Sequence, residues 1–157
     1  MTGVEGCLDC DLAEGRVPLP GGVIHESAHW LVEHTVGPLG VGTLILKPKR
    51  HVLHVWEIDD DKARELGPLV RDTTGVVAEL SAPDQIYVCM WSHHGGVPVH
   101  VHFVVQPVTA EQRDRHGPGP QLQVAMLEAG ELPPPDEVEA FAARARGAFA
   151  RVVERVG

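Results

Sequence analysis

Apolar positions fall in two periods along the chain, and together they predict an α+β fold. Short strand-like stretches lie around Gly22 to His25 and His29 to Glu33, after a polar lead-in over residues 1 to 22 that is punctuated by Gly and Pro. Gly37-Pro-Leu-Gly-Val-Gly42 is a turn by composition. It opens into Thr43-Leu-Ile-Leu46, an apolar run of the kind that fills a strand buried on both faces, and Pro48 ends that strand because it has no amide proton. From Glu57 the period becomes helical. Asp59, Asp60 and Asp61 suit a helix start, and Leu66, Leu69, Val70, Val76, Val77 and Leu80 make one stripe, with Gly67-Pro68 absorbed as an early irregularity. Gln85 to Trp91 and Val97 to Gln106 read as two strands joined by Ser92-His-His-Gly-Gly96. Arg113 to Gln121 reads as a loop and residues 121 to 130 as a short helix. After Pro133-Pro-Pro135, Asp136 caps a final helix to about Arg155 with Val138, Phe141, Ala142, Ala145, Phe149 and Val152 inside.

Length and charge narrow the function classes. The 157 residues suit one domain, 1 to 157, with a single sizeable core. A net charge of −9 argues against a partner that is a nucleic-acid polymer or an anionic membrane surface. No apolar run approaches the ~20 residues of a membrane span, and Glu5, Asp9 and Asp11 do not fit a signal peptide, so the expected location is cytoplasmic. Three cysteines build no disulfide framework. The ten histidines, beside three Phe and one Tyr, are the informative residues.

Two of them define a chemical segment, Val99-His-Val-His-Phe-Val-Val-Gln106. Strand alternation puts His100, His102, Val104 and Gln106 on one face and Val101, Phe103 and Val105 on a core-facing side. Paired imidazoles suit metal ligation, or nucleophilic and base chemistry near neutral pH; the plain alternative is a solvated face that carries histidine. Cys7-x-x-Cys10 has the spacing by which two thiolates grip one Zn²⁺, and a redox pair has the same spacing. A closed site needs two more ligands. Spacing alone leaves open His51 or His54, and His100 or His102.

The order of Cys7-x-x-Cys10, Thr43-Leu-Ile-Leu-Lys-Pro-Lys-Arg-His51 and His100-Val-His102-Phe-Val-Val-Gln-Pro107 resembles the histidine triad (HIT) superfamily. It is most similar to the zinc-containing bacterial branch with diadenosine polyphosphate hydrolase-like members, and is also similar to galactose-1-phosphate uridylyltransferase. The resemblance covers about residues 5 to 110, leaving a loop and helical extension over about 111 to 157. It implies an antiparallel sheet flanked by helices, a zinc-stapled N-terminus and a homodimer. The implied ligands of a structural Zn²⁺ are Cys7, Cys10, His51 and His100, and the implied nucleophile is His102. That histidine attacks the α-phosphate of a nucleotide or dinucleotide, and water or a phosphate-bearing acceptor then takes the nucleotidyl group.

The family pattern is departed from at its third histidine, where Val104 donates no hydrogen bond. A register that puts Pro98 first would remove a metal ligand, so His100 is taken as the first histidine. Gln106 is the substitute on the same face, and with His100, Ser92 and His94 it completes the expected substrate-binding set. His25, His29 and His34 are read as pocket lining, and Lys47, Lys49 and Arg50 as a solvated strand end. Val104 also supports a rival reading: a zinc-stabilised nucleotide-binding or sensor protein with little turnover.

Overall fold

The computed structural model describes residues 3–156. Five strands form one antiparallel sheet in the order β1-β2-β3-β7-β4: β1 (Val23–Glu26), β2 (Trp30–His34), β3 (Leu44–Pro48), β7 (Phe103–Val108) and β4 (Gln85–Cys89). A separate hairpin pairs β5 (His93–His94) with β6 (Val97–Pro98). The α+β architecture expected from the two periods is the one observed.

Alternation along β2, β3 and β7 divides the core. Trp30, Val32, Leu44, Leu46 and Val105 face one way. They pack against Leu69, Val76 and Val77 of α2 (Asp60–Ser81) and Phe141, Ala142, Ala145 and Phe149 of α5 (Pro135–Val156). Both helical stripes are the predicted ones. Asp59 caps α2 by accepting from the Lys62 amide. On the other face Ile45 and Val104 pack with Leu39, Cys89 and Met126, the last from α4 (Pro120–Ala129).

Several local expectations are corrected. The lead-in contains a short helix, α1 (Leu8–Ala13), and the expected loop after Thr109 contains α3 (Ala110–His116). In α3 the Thr109 hydroxyl accepts from the Gln112 amide while the Gln112 side chain accepts from the Thr109 amide, a reciprocal cap that composition alone did not reveal. Pro68 sits two turns inside α2 rather than in its first turn, on its exposed side, where the carbonyl left without a donor is open to solvent.

The most consequential correction concerns the expected strand Val97 to Gln106. Ladder pairing begins only at Phe103, opposite Leu46. Two residues further along, Val101 would meet Pro48, which has no N–H for the ladder. The Val101 amide donates instead to the Val52 carbonyl at 2.8 Å, and residues 99–102 leave the sheet. His100 and His102 therefore project from an extended segment beyond the strand end.

Candidate metal centre

Cys7 is the N-cap of α1 and Cys10 lies one turn on, so the two sulfurs share a face. His51 follows β3 directly, and His100 lies on the segment that Pro48 turns out of the sheet. The ligand atoms of these four side chains all lie within 4.8 Å of one another. Cys10 Sγ is 3.3 Å from His51 Nδ1 and 3.5 Å from His100 Nδ1, and Cys7 Sγ is 3.9 Å from His100 Nδ1. A tetrahedral ion with Zn–S near 2.3 Å and Zn–N near 2.05 Å requires sulfur–nitrogen edges of about 3.6 Å. The cluster fits that size.

Its surroundings fit the chemistry as well. His100 Nε2 lies 2.9 Å from the Pro48 carbonyl. A carbonyl only accepts, so Nε2 carries the proton and Nδ1 presents its lone pair to the sulfurs. Burial pushes the His100 imidazole down to about 4, which keeps it neutral as a ligand must be. Burial likewise pushes the Cys10 thiol up, a pressure that a cation in the cluster reverses. A cleft of about 680 Å³ lined by Gly3, Val4, Arg50, His51, Leu53 and Glu57 gives access from solvent. Of the two alternatives left open by spacing, His51 joins the cluster, while His54 stacks on exposed Trp56 with ring centroids 4.2 Å apart.

His102 lies next to this cluster and has a different fate. Its Nδ1 donates to the His100 carbonyl at 2.9 Å, which leaves Nε2 as the bare nitrogen. The side chain keeps 21% of its exposure, enough for a ligand to reach it.

The remaining expected site residues are scattered. His100 is buried with both ring nitrogens engaged, so its place is in the cluster. Gln106 is fully buried: its Nε2 donates to the Leu39 carbonyl and its Oε1 accepts from Gln123. Ser92 Oγ is buried without a partner, and His94 stands exposed on the β5–β6 hairpin. The three earlier histidines form internal ties. His25 stacks on Phe149 at 4.6 Å, His29 Nδ1 meets Glu65 at 2.6 Å, and His34 bridges the Thr35 carbonyl and the Gly42 amide.

Lys47 overturns its expected place at a solvated strand end. Its side chain is 1% exposed, and Nζ donates to Glu33 Oε1 at 2.6 Å and to the Asp9 carbonyl at 2.7 Å. Glu33 is equally enclosed, and burial raises its pKa against the opposing pull of Lys47. Each charge sits in an otherwise apolar strand, Trp30-Leu-Val-Glu33 and Leu44-Ile-Leu-Lys47. That complementary interruption was the available signal for the pair. Asp9, between the cysteines, was hidden in a stretch with several acidic residues.

The sequence matches no family model and no curated protein. Its architecture does find relatives among solved structures. A HIT-like protein involved in cell-cycle regulation from Bartonella henselae superposes with a TM-score of 0.71 at 16% identity, covering 92% of this chain and 97% of the other. A hypothetical histidine triad nucleotide-binding protein from Sulfolobus tokodaii gives 0.69 at 16% identity, with 93% of each chain covered. A Zn-bound histidine triad family protein from Mycobacterium smegmatis gives 0.67 at 17% identity, with 96% and 97% covered. With an antiparallel five-stranded sheet, flanking helices and these full-length superpositions, the chain has the histidine triad fold.

Proposed function

We propose that this protein binds a nucleotide conjugate, such as a dinucleoside polyphosphate, and transfers its nucleotidyl group through a covalent bond to His102. The observation that carries the reading is the tautomer of His102: a ring tied through Nδ1 to a carbonyl offers a lone pair on a partly exposed Nε2. Nε2 attacks the α-phosphorus and forms an N–P bond. The P–O bond to the leaving group breaks, and that oxygen departs with the electron pair. Water or a phosphate-bearing acceptor then attacks the same phosphorus and frees His102.

Cys7, Cys10, His51 and His100 are the residues that hold a structural Zn²⁺ in this reading. When bound, the ion supplies a cross-link between α1, the end of β3 and the segment before β7, with no open coordination position for chemistry. The protein's own groups do the rest. His100 presents its carbonyl to His102, and the Val101–Val52 hydrogen bond fixes the backbone between them. A homodimer belongs to the same reading, because β4 is an outer strand of the sheet with Val88 exposed. Sedimentation at micromolar concentration should give twice the chain mass. Among the described residues no helix is long and apolar enough to cross a membrane.

One observation favours the binding or sensor reading. Val104 offers no donor to a phosphoryl oxygen, and Gln106 has its amide committed to Leu39 and Gln123. Intact mass spectrometry after brief incubation with dinucleoside polyphosphates, nucleoside phosphoramidates and nucleotide sugars separates the two. The expected result is a nucleotidyl adduct on the wild type and none on His102→Ala. Nucleotide binding with neither adduct nor product would establish the sensor reading.

A further inference from the structure

The helical turn that carries the two cysteines also carries Asp9, whose carboxylate reaches across to His102. Asp9 Oδ2 lies 3.8 Å from His102 Nδ1, and Oδ1 lies 3.8 Å from Lys47 Nζ. The Lys47 ammonium also holds the Asp9 carbonyl at 2.7 Å and is itself held by Glu33 at 2.6 Å. With side chains 1% and 2% exposed, Lys47 and Glu33 have given up their hydration. An ion pair this deep is weakly justified by stability, since apolar residues of similar volume serve as well or better. What it does here is to pin Asp9 at a fixed place on the sheet. The ladder between β3 and β7 ends at Leu46 and Phe103, so Lys47 and His102 each lie one residue beyond its last pair.

We propose that Asp9 is a positioning residue for His102, held in place by the buried Lys47–Glu33 pair. This rests on the nucleotidyl-transfer reading above. When Nε2 bonds to phosphorus and the leaving oxygen takes its electron pair, the ring keeps its Nδ1 proton and becomes positively charged. The His100 carbonyl fixes the tautomer but carries no charge. Asp9, beside Nδ1, offsets the charge that appears on the ring, as a carboxylate behind a reacting histidine does in hydrolytic triads. The metal knuckle acquires a second duty: it delivers a carboxylate to the nucleophile as well as stapling the chain.

The test is Asp9→Asn in the full-length, zinc-loaded protein, a change that keeps size and hydrogen-bonding capacity but removes the charge. The rate of adduct formation from diadenosine tetraphosphate should fall roughly 10- to 100-fold. Zinc content and the Kd for AMP should stay within about twofold, since neither depends on charge developed during reaction. Lys47→Met combined with Glu33→Leu, which leaves neither charge buried alone, should produce the same split, and Asp9→Glu should recover part of the rate. Adduct formation at the wild-type rate in Asp9→Asn would overturn the proposal. If wild type forms no adduct with any probe, the transfer reading fails by itself, and the His102 Nδ1–H resonance decides the placement. That resonance should move in Asp9→Asn and in the Lys47→Met, Glu33→Leu double variant. An unmoved resonance would remove Asp9 from the site.

Discussion

The two faces of the sheet are built on opposite principles. The face under α2 and α5 is dominated by apolar contacts, with Trp30, Leu44, Leu46 and Val105 set against Val76, Val77, Phe141 and Phe149, and the imidazoles of His25 and His34 packed on Phe149 and Phe141. The other face carries Glu33, Lys47 and Gln106 beside Ile45 and Val104, all of them buried. Apolar packing is non-directional and gains stability with each area removed from water. Buried charge gains little and demands a specific partner. The first face makes the domain stable, and the second gives up stability for fixed positions beside His102.

The largest effect expected is loss of the ligand cluster that anchors the second face. Metal analysis should find about one zinc per chain, and His100→Ala should abolish it while lowering stability by over about 4 kcal/mol. His102→Ala should retain both metal and stability. The reverse pattern would exchange the roles of the two histidines. A stable, folded, metal-free native protein would remove the ligand assignment altogether.

On the apolar face, Phe141→Ala should cost about 3–5 kcal/mol in urea unfolding, because α5 cannot collapse fully into the space. Lys47→Ala should cost a similar amount, about 3–5 kcal/mol, by leaving Glu33 buried and unpaired. The difference between the faces appears in the double variant. Lys47→Met with Glu33→Leu should recover most of that stability, whereas a second truncation beside Phe141 should only add to the loss. If the double variant is as unstable as Lys47→Ala, the pair is itself a stabilising element.

The smallest effect is with pH. Burial lowers the pKa of His25 and of His34, which abut Phe149 and Phe141 respectively. For a base whose folded pKa lies below its unfolded value, the unfolded chain binds more protons as pH falls through about 6.5, so stability declines on the acid side. It is fully present above the unfolded value and is lost as pH approaches the folded values. The Tm should therefore fall between pH 7 and pH 5, and His25→Gln should flatten the slope. An unchanged slope would mean that other groups carry the acid dependence.

These contrasts mark what could be read from the chain beforehand. Periodicity revealed α2, α5 and the sheet strands because burial on one helical stripe, or on both faces of a strand, leaves a regular record. It missed α1 and α3, which are too short for a stripe and depend on caps and contacts. It ran Val97 to Gln106 as one strand because the interruption is caused by Pro48, which is distant in sequence. The Cys-x-x-Cys spacing pointed to a metal but left His51 and His54 open; the resemblance named His51, and the packed chain brings His51 into the cluster. Lys47 was taken for a solvated end because its partner Glu33 lies on another strand and its cover, α1, was not foreseen.

Pro48 and the four-residue cluster also impose an order on assembly. His100 lies 90 residues after Cys10 and 93 after Cys7. Closing a loop of that length costs roughly 4.6 kcal/mol of chain entropy, so the cysteines gain little from meeting the last ligand until the intervening strands have brought it near. During synthesis the two thiols leave the ribosome first, His51 follows, and the set is finished only when the penultimate third of the protein has emerged. A closed four-ligand set would then mark a chain whose sheet strands before β7 are all made, while a product truncated before His100 would offer a metal only three of the four ligands.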